Sequence, residues 1–300
     1  MDAGDLRVFA AVARLGGMNR AAAELNTVQS NVTARIRLLE ETLGAPLFHR
    51  HSRGVTLTPA GQILLPYADR IGHLLAEARR AVVDDGKPKG PLNLGSLETT
   101  AGLRLPPLLA SYAADYPEVD LVLKTGTTCE LVEEVIAHRL EGAFVCAPVD
   151  HPELTEEAVF SEELVLVTAR SVRHLDELTR KGGLKTIVFR AGCSYRDRLD
   201  ALLAARGIVG VRQLDFGSVE GILGCVAAGV GVTLLPKGVV TAAWREGRVA
   251  VHELPVAEAR VETVFVRRRD AYTSSALAAL LERARRMSAY SSTGRADAAE

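Results

Sequence analysis

The chain has 300 residues with 36 Lys+Arg, 37 Asp+Glu and 48% hydrophobic residues, enough apolar material for one large or two ordinary folded domains and too much for wholesale disorder. No apolar run reaches the length of a membrane span, and the acidic N-terminus MDAGDLRVF lacks the basic start and apolar core of a signal peptide, so a cytoplasmic location is expected. Four widely spaced cysteines, Cys129, Cys146, Cys193 and Cys225, argue against a disulfide scaffold and against a clustered metal site. The formal net charge of -1 conceals an asymmetry, because residues 1–90 sum to +3 and the rest to -4. That difference is too small to identify a nucleic-acid partner by itself, so the placement of the charges must decide.

Leu6, Phe9 and Val12 recur at helical spacing until Gly16-Gly17 stops the run, and Asn19 is the expected cap of a short second helix over Arg20 to Leu25. Thr27 is the expected cap of a third helix, whose stripe Val32, Ile36, Leu39, Leu43 faces inward and ends at Gly44 and Pro46. Two short helices joined by a tight turn, each with one apolar face, form a helix-turn-helix pattern. With the stripe inward, Ser30, Asn31 and Ala34 form the outer face, Thr33, Arg35 and Arg37 its margins, and Gln29 the first turn. These residue types can hydrogen-bond base edges or phosphates, or approach a thymine methyl closely. No acid lies between Glu24 and Glu40. Leu47–Arg50 and Val55–Leu57 then flank a basic tip, with Arg50 and Arg53 suited to phosphate or a minor groove.

Thr58 and Pro59 open a long helix over residues 59–83, with Leu64, Ala68, Ile71, Leu75, Ala78 and Val82 in heptad spacing. An apolar seam that long implies a partner helix, most simply from a second copy of the chain. Asp84 to Pro91 crowds charge, Gly and Pro into a hinge. Short apolar strands then alternate with helices, and the two extended stretches Val159–Ala169 and Val261–Arg267 read as crossings between two α/β lobes. The expected layout is therefore an all-α winged helix-turn-helix domain (1–58), a dimerisation helix and hinge (59–90), and an α/β effector domain (91–287). Its lobes are expected at about 91–162 plus 268–287 and at 163–267, with a disordered tail at 288–300.

Residues 2–67 resemble the N-terminal domain of the LysR-type transcriptional regulators. The resemblance rests on Leu6-Arg7-Val8-Phe9, Gly16 to Ala22, Gln29-Ser30-Asn31-Val32-Thr33, Leu39-Glu40, Leu47-Phe48, and Gly54 through Gly61. The chain departs from the common pattern with Val28-Gln29-Ser30 before the recognition helix and with Ala34 where a basic residue is usual. The resemblance implies a periplasmic-binding-protein-like fold for the two lobes, operator DNA and a small-molecule effector as partners, a homodimer and tetramer, room for RNA polymerase, no membrane and no cofactor.

It also carries effector contacts to Ser96, Glu98, Thr99, Thr100, Thr127, Thr128, Cys193, Ser194 and Tyr195. Ser218 lies in a further strand-to-helix turn. Hydroxyls at such turns can hold a carboxylate or other oxyanion, with Thr100, Thr128 and Ser194 best placed, although the same residues also serve as plain helix caps. Glu98 suits a ligand bearing an amine or hydroxyl instead. Cys193 at a helix start raises a redox-sensing alternative, but Cys225 sits in an apolar segment and makes a poor partner. An enzyme or a small-molecule-binding protein without DNA function is the rival of another class. No HExxH, CxxC, GxSxG, P-loop or strand-borne GxGxxG pattern supports an enzyme, and the seven histidines show no metal-ligand spacing.

Overall fold

The computed structural model describes residues 1–174, 177 and 184–296, with side chains as far as Ser288. Contacts divide it into two units, the first made of Met1–Asp84 with the short segment Ala137–Arg139 and the second of the remaining residues from Asp85 onward.

The first unit opens with α1 (Ala3–Leu15), started by a reciprocal box in which Asp5 N–H donates to Asp2 Oδ1 and Asp2 N–H to Asp5 Oδ2. Helix α2 (Met18–Glu24) is capped by the backbone of Gly17, not by Asn19, and α3 (Gln29–Leu43) by Val28, not by Thr27. Thr27 lies one residue outside the capping position, and its hydroxyl accepts from the Asn31 side chain at 2.9 Å instead. Phe9, Val12, Val32, Ile36 and Leu39 are wholly buried together, while Leu43, expected on the same stripe, is 40% exposed in the last turn before Gly44. Strands β1 (Phe48–His51) and β2 (Gly54–Leu57) pair antiparallel as a wing. Gly54 has φ +139°, and a Cβ there would sit 2.4 Å from the Gly16 carbonyl oxygen, so only glycine lets the wing rest on the turn after α1. Helix α4 (Pro59–Val83) starts as expected: Thr58 Oγ1 accepts from Gly61 N–H at 3.1 Å and donates to the Pro46 carbonyl at 2.7 Å.

In the second unit, β3 (Gly90–Ser96) pairs parallel with β4 (Val119–Thr125) on one side and β5 (Gly142–Cys146) on the other. Between β3 and β4 the chain forms two helices, α5 (Glu98–Leu103) and α6 (Leu105–Asp115). Pro106 and Pro107 fit only in a first helical turn, so a new helix must begin just before them. Helix α7 (Thr128–Ile136) leads into β5.

The sixteen-residue strand β6 (Leu154–Ala169) then runs through both lobes. Its first part pairs antiparallel with β11 (Arg260–Arg268), and its last part pairs with β9 (Thr233–Pro236) and β10 (Val249–His252). In the second lobe β7 (Lys185–Phe189) pairs parallel with β8 (Arg212–Phe216), and α8 (Ser194–Ala205), α9 (Val219–Ala227), α10 (Lys237–Arg245) and the short α11 (Val256–Ala259) fill the connections. The return to the first lobe comes earlier than the expected 268, because Thr263–Val266 already pair with β5 and Phe265 sits in the first-lobe core beside Phe144. The final helix α12 (Ser275–Ala296) packs Leu277, Leu280 and Leu281 into that core, and Tyr112 donates to the Ala276 carbonyl at 2.8 Å. Its backbone stays helical to Ala296 where disorder was expected from 288; residues 297–300 lie outside the described residues.

Candidate functional site: recognition helix, seam and interlobe cleft

On α3 the structure exposes Gln29, Ser30, Asn31, Ala34 and Arg37 and half-buries Thr33 and Arg35. Gln29 Nε2 donates to Thr33 Oγ1 at 3.0 Å, so two groups of the outer face are held in register along one helical turn. Arg35 has a different task from the one its position on the wheel suggests. Its guanidinium lies 3.2 Å from Asp5 Oδ1, and the Asp5 side chain is 8% exposed, which makes Arg35 a strut between α3 and α1. The wheel of one helix could not show an acid supplied by another.

Arg37 and Arg53 are exposed and form no hydrogen bond or ion pair with the described residues. Arg50 is held by Glu40 at 3.2 Å. The other Glu40 oxygen accepts from the Leu47 and Phe48 amides at 2.8 and 3.3 Å, so one carboxylate ties the end of α3 to the first strand of the wing.

Along α4 the expected seam divides. Ala68 is 3% exposed and lies in the core of its own unit, with Leu64 packed against it. A heptad pattern marks an apolar face without saying what covers it, and the near end of this one is covered by α1 and its neighbours. Ile71, Leu75, Ala78 and Val82 remain exposed, joined by Ile63, Tyr67, Leu74 and Val83, with Val82 at 86%. Such a row is costly to leave in water.

In the effector domain, a cavity of about 100 Å3 opens between the loops at the ends of β3 and β4 in the first lobe and those at the ends of β7 and β8 in the second. Five of the expected residues line it: Glu98, Thr99, Thr127, Cys193 and Tyr195. Tyr195 is buried, its hydroxyl lies 3.4 Å from Thr99 Oγ1 across the two lobes, and burial pushes its phenol well above the usual range.

The other five serve elsewhere. Ser96 is wholly buried and donates to the Leu97 carbonyl, and Thr100 is a buried residue of α5. Thr128 Oγ1 accepts from Ser194 Oγ and from the Cys146 amide, both at 3.4 Å, and Ser218 caps α9 by accepting from Gly221 N–H at 3.3 Å. The three hydroxyls expected to serve best, Thr100, Thr128 and Ser194, therefore do not line the cavity. Thr127 does both jobs, since it also forms a reciprocal cap with Glu130.

Sequence reasoning missed Leu97, Thr125, Gly126, Glu130, Phe189 and Arg190 in the lining, while Gly217 belongs to the same turn as Ser218. Arg190 was findable in principle, because it directly follows strand β7 as Leu97 follows β3. A search for hydroxyls passed it by.

Cys193 is buried and burial pushes its thiol up, which disfavours the reactive thiolate. Cys225 packs against a different hydrophobic cluster from the one that holds Cys193. No group of three His, Cys, Asp or Glu side chains suited to a metal occurs among the described residues, and no helix there is long and apolar enough to cross a membrane.

Comparison with known proteins agrees with these two units. Residues 3–62 match the model of the bacterial regulatory helix-turn-helix protein, lysR family, and residues 85–289 match that of the LysR substrate binding domain. The chain is 44% identical over 276 residues to the HTH-type transcriptional regulator GltR of Bacillus subtilis, covering 92% of this chain and 93% of the relative. It is 40% identical over 282 residues to the HTH-type transcriptional regulator CzcR of Bacillus cereus, covering 94% and 96%. Among solved structures, full-length CbnR complexed with its target DNA superposes with a TM-score of 0.67 at 26% identity, covering 95% of this chain and 99% of that one.

Proposed function

Because the chain belongs to the LysR family of DNA-binding transcriptional regulators with a substrate-binding domain, we propose that a small molecule held between its lobes sets its grip on operator DNA. In this reading Gln29, Ser30, Asn31, Thr33 and Ala34 face base edges, while Arg37, Arg50 and Arg53 meet phosphate or a minor groove. The exposed row Ile71, Leu75, Ala78 and Val82 closes against a second copy, so that two heads read two half-sites, and two such dimers form a tetramer. The chain acts by binding and catalyses nothing, and it works in the cytoplasm, where operator DNA lies. Effector sensing is favoured over thiol oxidation because Cys193 is buried and burial raises the pKa of its thiol.

The observation that carries the reading is the cavity lined from both lobes by Glu98, Thr99, Thr127, Tyr195 and Arg190. A ligand that touches both lobes binds one lobe angle better than another, and that differential affinity is what couples it to DNA. Gly217 lines the same cavity, and a Cβ there would first meet the flexible tip of Arg190, at 3.2 Å, so Gly217→Leu should fill the space without disturbing the backbone. A random duplex library is first selected on the full chain to obtain a bound sequence. Small molecules that raise Tm and alter affinity for that duplex should then lose both effects in Gly217→Leu, while duplex affinity without ligand stays within about twofold. Effects that survive the substitution would place the effector site elsewhere.

A further inference from the structure

Two opposite charges in the cleft have no counter-ion among the described residues. Glu98 stands half-buried at the start of α5 in the first lobe, and Arg190 stands exposed just after β7 in the second; both line the cavity. Neither forms a hydrogen bond or ion pair with any described residue, nor do they reach each other. The third charge in the lining, Glu130, is already engaged, since its Oε2 accepts from the Thr127 amide at 2.9 Å. Around them, Leu97 and Phe189 are apolar and Thr99 and Tyr195 offer hydroxyls.

An anion alone would answer Arg190 and leave Glu98 facing it uncompensated. An amine alone would do the reverse, and a neutral ligand would leave the half-buried Glu98 partly stripped of water with nothing in exchange and Arg190 without a partner. Only a ligand with both charges satisfies both walls. The volume favours a small ligand: a closed cavity of about 150 Å3 admits a six-carbon ring, so this smaller, open one suits about six non-hydrogen atoms or fewer. Resting on the reading that the effector occupies this cleft, we infer that it is a small zwitterion, its ammonium on Glu98 and its carboxylate on Arg190. The charges stand on different lobes, so such a molecule ties the lobes together, and an analogue with one charge grips one lobe only. The effector response therefore requires both ends of the ligand.

The test is calorimetric titration of the full chain with glycine, alanine, serine, β-alanine and γ-aminobutyrate, against propionate, butyrate, propylamine and butylamine. At least one zwitterion should bind ten times or more tighter than the carboxylate and the amine of matched length. Arg190→Gln should weaken it tenfold or more. Glu98→Gln should weaken it comparably while improving the binding of the plain carboxylate, a gain that simple damage to the fold cannot produce. No binding by any zwitterion overturns the inference, as does a carboxylate that binds as tightly. A ligand lost in Gly217→Leu but indifferent to both charge substitutions refutes the zwitterion and leaves the cleft standing. One indifferent to all three substitutions refutes the cleft itself.

Discussion

Replacing Glu40 by Ala should loosen the wing while leaving α3 helical. The side chain is 16% exposed and holds three donors at once, the Leu47 amide at 2.8 Å, the Phe48 amide at 3.3 Å and the Arg50 guanidinium at 3.2 Å. A carboxylate accepting from a buried amide contributes about 1.5–3 kcal/mol, the long Phe48 bond about 0.5–1, and the half-exposed Arg50 pair about 0–1. The local loss is then about 2–5 kcal/mol, roughly a 30- to 5,000-fold rise in the population of the opened wing. Glu40→Gln keeps one acceptor oxygen and loses the charge, so its cost should be about 1–2 kcal/mol. Hydrogen exchange of a peptide covering residues 44–57, read by mass spectrometry in wild type and both variants, measures this opening directly. Equal exchange in all three, or the same acceleration in Gln as in Ala, would refute the account of Glu40 as the wing's tie.

Three further outcomes are expected. Arg53→Ala should weaken binding to scrambled and selected duplexes alike and reduce the slope of log affinity against log salt by about one, whereas Arg35→Ala should instead lower Tm of the head by leaving Asp5 buried without its partner; anisotropy titrations at three salt concentrations and a thermal melt distinguish the two. Ile71→Asp with Leu75→Asp should give monomers in sedimentation velocity, because each half-exposed side chain contributes about 1 kcal/mol per copy to a closed seam and two carboxylates there add a desolvation cost; an unchanged dimer would show that copies meet elsewhere. His252, whose Nε2 lies 2.9 Å from Thr168 Oγ1, has its pKa lowered by burial, so the unfolded chain takes up its proton first. Its contribution is fully present above about pH 6.5 and is lost as pH falls from there through the lower folded value; denaturation midpoints from pH 7.5 to 5 should drop less steeply in His252→Gln, and parallel curves would contradict this.

The parts legible in the sequence were those governed by neighbours along the chain. Thr58-Pro59 signalled a helix start because cap and first turn lie within three residues of each other, and the inward stripe of α3 held at Val32, Ile36 and Leu39. What escaped depended on partners far away in sequence. Ala68 and Leu75 look alike in a heptad, yet one is covered by its own unit and the other is bare. Arg35 resembled a free cation until Asp5 came to meet it across thirty residues. Thr128, Ser194 and Ser218 carried the hydroxyls that a polar site needs, yet they lie outside the cavity lining and bond to each other or to helix ends. Helix α10 and strand β10 passed unassigned, since Lys237–Arg245 and Val249–His252 are short and their apolar positions make sense only against β6.

The continuous strand β6 has a mechanical consequence. A pair of lobes joined by flexible loops swings freely, and a ligand then does no work until the faces touch. Here the passage between lobes is a ladder, β6 against β11, that keeps its hydrogen bonds from Arg260–Glu163 to Arg268–Leu154 with a single irregularity at Thr263/Val264. Relative rotation must twist that ladder, so the restoring torque grows with angle, as in a torsion bar. A molecule drawn across the cleft therefore sets a small, repeatable deflection, and the bulge at Thr263/Val264 is where the bar is softest.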